Sequence, residues 1–258
     1  MHALTLECLA AASVSLPEDA TTNLLISLRL VHFVAGITWV GLLYFFNLVS
    51  TPAFREMNAP MRAHAFAALM PRAMWWFRWS SVVTVLAGIW YWMMIVGADR
   101  RNAPGIGFPN ASGGLAIGSF FGLWTVAFII YMGVLMMTQK SNSGGVVVGI
   151  AATVLVILAA VFYVVINNNG WESNRLIAIG IGGGLGWFMM FNVWGVIWRI
   201  QKKLIRWNAD AAADGTPIPE QGATLARLNL RASRTNFWLS FPMLFFMAAA
   251  SHYPLFVR

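Results

Sequence analysis

The stretch LLISLRLVHFVAGITWVGLLYFFNL, residues 24–48, decides the class of fold. A helix crosses the hydrocarbon core of a bilayer, about 30 Å thick, in about 20 residues. This run is longer than that, and the only basic side chains inside it are Arg29 and His32. Five further apolar runs follow, near 76–97, 114–138, 145–166, 174–198 and 236–253. The expected fold is therefore all-α: a polytopic transmembrane helix bundle of about six spans with short interfacial helices. It forms one membrane domain over 24–258, preceded by an outer N-terminal tail over 1–23.

Composition agrees. Of the 258 residues 59% are hydrophobic and only 10% charged, and a mean hydropathy of +0.68 is incompatible with a water-soluble domain. The net charge of +8 does not point to nucleic acid, because the basic residues have no soluble fold to sit on. They collect beside helix ends, where they set orientation and meet anionic lipid. With the first connection placed in the cytoplasm, that side holds Arg55, Arg62, Arg72, Arg78, Lys140 and the basic residues from Arg199 to Arg234. The other side keeps Arg29, Arg100, Arg101, Arg175 and Arg258. This asymmetry places both termini outside, in the periplasm of a bacterial inner membrane.

The opening MHALTLECLAAASVSLPEDATT has no basic n-region and carries Glu7 within its apolar run, so it is expected to be retained rather than cleaved. Cys8 is the single cysteine, which excludes an internal disulfide and a cysteine-pair metal site. Pro52 and Pro60 bracket a mixed basic and apolar segment expected to lie as a short helix in the interface, with Trp75, Trp76 and Trp79 at headgroup depth. Residues 98–113 are expected to be an irregular loop. The connection 199–235 is expected to be the longest, with one brief amphipathic helix around Leu225, Leu228 and Leu230.

The glycine-rich run IGIGGGLGWF, 179–188, looks superficially like a phosphate-binding loop. It follows no strand and lies inside a span, so a nucleotide site is excluded. Pairs four apart, Gly180 with Gly184 and Gly182 with Gly186, instead permit close helix packing, and Gly118 with Gly122 offers a second such face.

His32 is the sharpest candidate for chemistry, because an ionisable group inside a span is a functional-site hypothesis by default. A neutral imidazole is a good axial ligand for haem iron. Gly36, one turn on, leaves room for a flat macrocycle, Arg29 on the same face can pair with a propionate, and Trp39 packs below. The partner expected across the bundle is His252, at the end of the last span beside Ala248 and Ala249. The predicted metal ligands are thus His32 and His252, around one haem b. The plain alternative is that both histidines are ordinary hydrogen-bonded or water-facing residues, as expected for His64 and His2. No spacing of histidines and carboxylates suits zinc or a di-iron centre.

Four segments, LRLVHFVAGITWVGLLYFFN (28–47), WWFRWSSVVTVLAGI (75–89), FNVWGVIWRIQKKLI (191–205) and RASRTNFWLSFPMLFFMAAASHYP (231–254), together resemble the urate oxidase N-terminal membrane domain. In typical members that domain is fused to a cytochrome c. The resemblance implies a membrane redox protein that passes electrons to or from a c-type cytochrome, with His32 and His252 at the family's histidine positions. Thr235 and Met74–Trp75 stand where further histidines are expected, which weakens an inference to urate chemistry, and the cytochrome c is then a separate partner. The function expected is a b-type haem-binding electron-transfer subunit of a bacterial redox complex. A cofactor-free structural subunit and a urate-oxidising membrane enzyme are the alternatives.

Overall fold

The computed structural model describes residues 17–256, and among these every regular element is helical. Helix α1 (Ala20–Tyr44) passes through a π-helical turn (Phe45–Ser50) into α2 (Thr51–Glu56). Helix α3 (Ala59–Asn102) ends in a 3-10 turn (Ala103–Ile106), and α4 (Gly113–Met137) and α5 (Gly144–Asn167) form an antiparallel pair. Helix α6 (Asn174–Asn192) passes through a second π-helical turn (Val193–Ile197) into α7 (Trp198–Asp214), and α8 (Gln221–His252) closes the bundle. The N-terminal expectations for His2, Cys8 and the leader, and Arg258, lie outside the described residues.

Five helices, Ala20–Glu56, Ala59–Ile106, Gly113–Met137, Gly144–Asn167 and Asn174–Asp214, are long and apolar enough to cross a membrane. The sixth expected span exists as α8 but falls below that apolarity. The reason lies in its polar inner face: Ser233, Thr235, Asn236 and Ser240 are buried. Asn192 Nδ2 donates to Asn236 Oδ1 (2.8 Å) and to the Ala232 carbonyl (2.9 Å), while Asn236 Nδ2 donates to the Met189 carbonyl (3.0 Å). Such bonds glue helices where lipid offers no competing partner.

Two further expectations are corrected. No separate interfacial helix precedes the second span, because α3 is continuous for 44 residues, about 66 Å at about 1.5 Å per residue. The long loop over 199–235 is mostly helical too. Helix α7 buries Ile200, Leu204 and Asn208 while Lys202, Lys203 and Arg206 stay exposed, and it ends where Gly215 takes a φ of +77°, a left-handed stop that suits glycine. The amphipathic stretch around Leu228 is simply the start of α8. Charge therefore marks where helices leave the bilayer without ending them.

Helix α6 is the centre of the bundle: 83% of its most apolar stretch is buried, against 22% for α5. A side chain at Gly180 would collide with the Tyr163 phenol of α5, and one at Gly184 with the Trp124 indole of α4. At Gly182 it would meet Phe246 Cβ of α8 at 3.1 Å. The glycines thus accept aromatic side chains from α4 and α5 as well as the backbone of α8. Gly118 and Gly122 are exposed, and among the described residues a side chain there would meet nothing within 4 Å. Helix α5 turns Val146, Ile150, Val154, Ile157, Val161 and Val165 outward, an apolar exterior whose natural solvent is lipid.

The two ends of the bundle are tied differently. Where α1 begins and α8 stops, Asp99 accepts from the Ser173 backbone N–H (3.0 Å); this is called the terminal end below. At the opposite, basic end, Arg231 donates to the carbonyls of Thr138 (2.8 Å) and Ser141 (2.7 Å), capping α4.

Candidate cofactor site

Helix α1 repeats its inward residues at Arg29, His32, Gly36 and Trp39, a spacing that keeps all four on one face. The facing helix, α3, offers Thr84, Gly88 and Tyr91 one turn apart, with Trp92 beside the last. A Cβ at Gly88 would lie 2.8 Å from His32 Nδ1 and 2.9 Å from Cε1, so only glycine lets the imidazole lie flat on this helix. There Nδ1 meets the Thr84 carbonyl oxygen at 2.8 Å. A carbonyl can only accept, so Nδ1 carries the proton, and Nε2 of the neutral ring keeps its lone pair. Among the described residues Nε2 makes no hydrogen bond.

His32 sits on the wall of an apolar cavity of about 550 Å³, within the range of about 300–1,000 Å³ usual for cofactor sites. Arg29, Gly36, Trp39 and Tyr44 of α1 line it, with Thr84, Gly88, Tyr91 and Trp92 of α3, Phe120 of α4, and Gly183 and Gly186 of α6. Met243, Met247, Ala250 and Ser251 supply the α8 wall. The back is rigid: Trp92 Nε1 donates to the Leu176 carbonyl (3.1 Å), and its ring lies 4.8 Å from Phe120. Trp39 is 1% exposed, and among the described residues its enclosed Nε1–H meets no acceptor, a donor whose missing bond costs about 1–3 kcal/mol.

Beside the cavity two guanidiniums share one ring. Arg29 and Arg175 each lie 5.9 Å from the centre of Tyr91. Among the described residues neither has a carboxylate within 4.0 Å, and the one ion pair is Arg206 with Asp210 at 3.9 Å.

Of the residues expected from sequence, the structure brings Arg29, His32, Gly36 and Trp39 to one cavity. His252 is exposed, does not line the cavity, and is the last residue of α8. Its neighbours Ala250 and Ser251 do line it. That helix end is held by Asn174, whose Nδ2 donates to the carbonyls of Ala250 (3.2 Å) and Tyr253 (3.1 Å) and whose Oδ1 accepts from the backbone of Leu255 and Phe256. Thr84, Gly88, Met243 and Met247 line the cavity without having been expected there, and Arg175 stands beside it over Tyr91. Of these only the glycine in the middle of a span, Gly88, carried a signal.

The chain is thus a polytopic helical membrane domain with a laterally open apolar cavity between its helices, on whose wall one histidine sits. More particularly, it belongs to the urate oxidase N-terminal family, whose model matches residues 59–258. The match opens at the first residue of α3, so it includes His252 and leaves α1, with Arg29 and His32, before it. Comparisons with curated proteins and with solved structures return no match.

Proposed function

We propose that this protein is a membrane electron-transfer subunit whose cavity holds one b-type haem on His32. The single observation that carries the proposal is the bond from His32 Nδ1–H to the Thr84 carbonyl. Metal-binding histidines use such a bond to fix tautomer and ring orientation, leaving the other nitrogen for the metal. The surroundings fit the group: an apolar cavity of about 550 Å³ and, among the described residues, an indole donor on Trp39 without an acceptor and two guanidiniums at Tyr91 without carboxylates. Haem supplies one-electron chemistry when bound. His32 would ligate it, Arg29 and Arg175 would neutralise its propionates, and the dry wall would help set its potential. On the α8 side the cavity offers the thioethers of Met243 and Met247, whereas the His252 imidazole stands outside. A c-type cytochrome or a larger redox complex in a bacterial inner membrane, with both termini periplasmic, completes the reading.

Haem measured as the pyridine haemochrome per mole of purified chain tests this. About one equivalent in the wild type, lost in His32→Ala and kept in His252→Ala, is expected. A colourless wild-type protein would instead favour a structural subunit without a cofactor. Family membership also favours urate oxidation, since the paired guanidiniums suit an anionic purine. Urate consumption by membranes carrying the chain, abolished by His32→Ala, distinguishes this reading from pure electron transfer.

A further inference from the structure

At the basic end, Arg78 of α3 is held among three indoles. Its guanidinium carbon lies 4.0 Å from the centre of the Trp198 ring, 5.6 Å from Trp79 and 5.8 Å from Trp194. Trp194 Nε1 donates to the Arg78 carbonyl at 3.2 Å, fixing α6 and its π-helical turn against α3. Lys202 shares the Trp198 ring, with Nζ 5.6 Å from its centre. Ring quadrupoles orient a cation but do not cancel its charge. Arg78 Nε is enclosed without an acceptor, and among the described residues no Arg78 side-chain donor meets a protein oxygen and no carboxylate lies within 4.0 Å. Arg231 and Arg72, at the same end, do find backbone carbonyls. A half-buried cation without an acceptor is costly unless an anion arrives from outside.

Depth identifies that anion. Along α3, Arg78 is separated from Arg100 by about 33 Å at about 1.5 Å per residue, one hydrocarbon thickness. Trp75, Trp76 and Trp79 around it are 43–59% exposed, the arrangement of an aromatic belt at the headgroups. We propose that Arg78, caged by Trp79, Trp194 and Trp198 and assisted by Lys202, binds the phosphate of an anionic phospholipid. The planar guanidinium suits bidentate recognition of phosphate oxygens. The ammonium adds charge and selects against zwitterionic headgroups. The site is separate from the cavity and does not depend on a bound haem.

Native mass spectrometry of the full chain, released from detergent in the presence of phosphatidylglycerol or phosphatidylcholine, tests it. Phosphatidylglycerol is expected to bind the wild type with preference, and Arg78→Gln to lower its affinity about tenfold. Arg206→Gln, at the same end, is expected to leave it unchanged. Lys202→Gln, at an exposed position that does not threaten folding, is expected to weaken binding about threefold. Equal affinity in Arg78→Gln and wild type, or equal affinity for the two lipids, overturns the proposal. Full displacement of phosphatidylglycerol by millimolar inorganic phosphate assigns the site to free phosphate and overturns it as well.

Discussion

The two ends of the bundle repeat one arrangement with different backing. At the terminal end Arg29 and Arg175 share Tyr91; at the basic end Arg78 and Lys202 share Trp198. Among the described residues neither pair has a carboxylate within 4.0 Å. Behind Tyr91 lies a cavity with a tautomer-fixed histidine, whereas Arg78 is surrounded by the indoles of Trp79, Trp194 and Trp198. If both proposals hold, the same charge motif addresses a guest in the cavity at one end and the surrounding lipid at the other. What decides is the space behind the ring.

The largest expected effect is the loss of the haemochrome signal in His32→Ala, with no change in Arg78→Gln; pigment loss in both would collapse the distinction between the ends. Next comes Gly88→Ala. Its methyl would occupy the place of the imidazole, 2.8 Å from Nδ1, and displacing a ligand from its supporting bond weakens metal binding about 10–100-fold. Haem retention on dialysis measures it, and retention equal to wild type would deny His32 its role. The double variant Arg29→Gln with Arg175→Gln is expected to weaken haem retention about tenfold while leaving phosphatidylglycerol binding at the basic end intact.

The smallest effect concerns the start of α1. Asp19 caps that helix through the Thr21 and Thr22 amides, and the Thr22 hydroxyl together with these amides holds its carboxyl below the ordinary 3.8. A lowered folded value means the cap is complete above the unfolded value and is lost as pH falls through the folded one. Lower protection factors of the Thr21 and Thr22 amides, each exchange rate taken relative to its intrinsic value at that pH, are expected in acid and in Asp19→Asn at neutral pH. Arg78 and its indoles should not respond.

Much of the fold was legible because lipid imposes a simple rule: long apolar runs become helices. Their ends were not, because Lys202, Lys203 and Arg206 lie on the exposed face of a continuing helix rather than in a loop. The α1 face of the site was legible from the spacing of Arg29, His32, Gly36 and Trp39. Its α3 support was hidden, since the Thr84 carbonyl has no sequence signature and stands 52 residues away. The pairing of His32 with His252 rested on the small residues Ala248 and Ala249 beside His252 and on the family resemblance. Rotation about α8 decides which side chains face inward, and Ala250 lines the cavity while His252 does not. Arg175 was counted as a loop charge, although sharing Tyr91 with Arg29 gives it a place beside the cavity.

The cavity is not sealed by protein on every side. Phe33, Ile37 and Leu244 belong to its wall, yet they are 57%, 75% and 42% exposed on the outer surface of the bundle. Its rim is thus shared with acyl chains, and a hydrophobic guest can slip in sideways from the bilayer after the polypeptide has been inserted, with no unfolding step. It also makes the choice of detergent consequential: a slim alkyl tail can lodge in the same slot and compete with whatever the imidazole is there to hold.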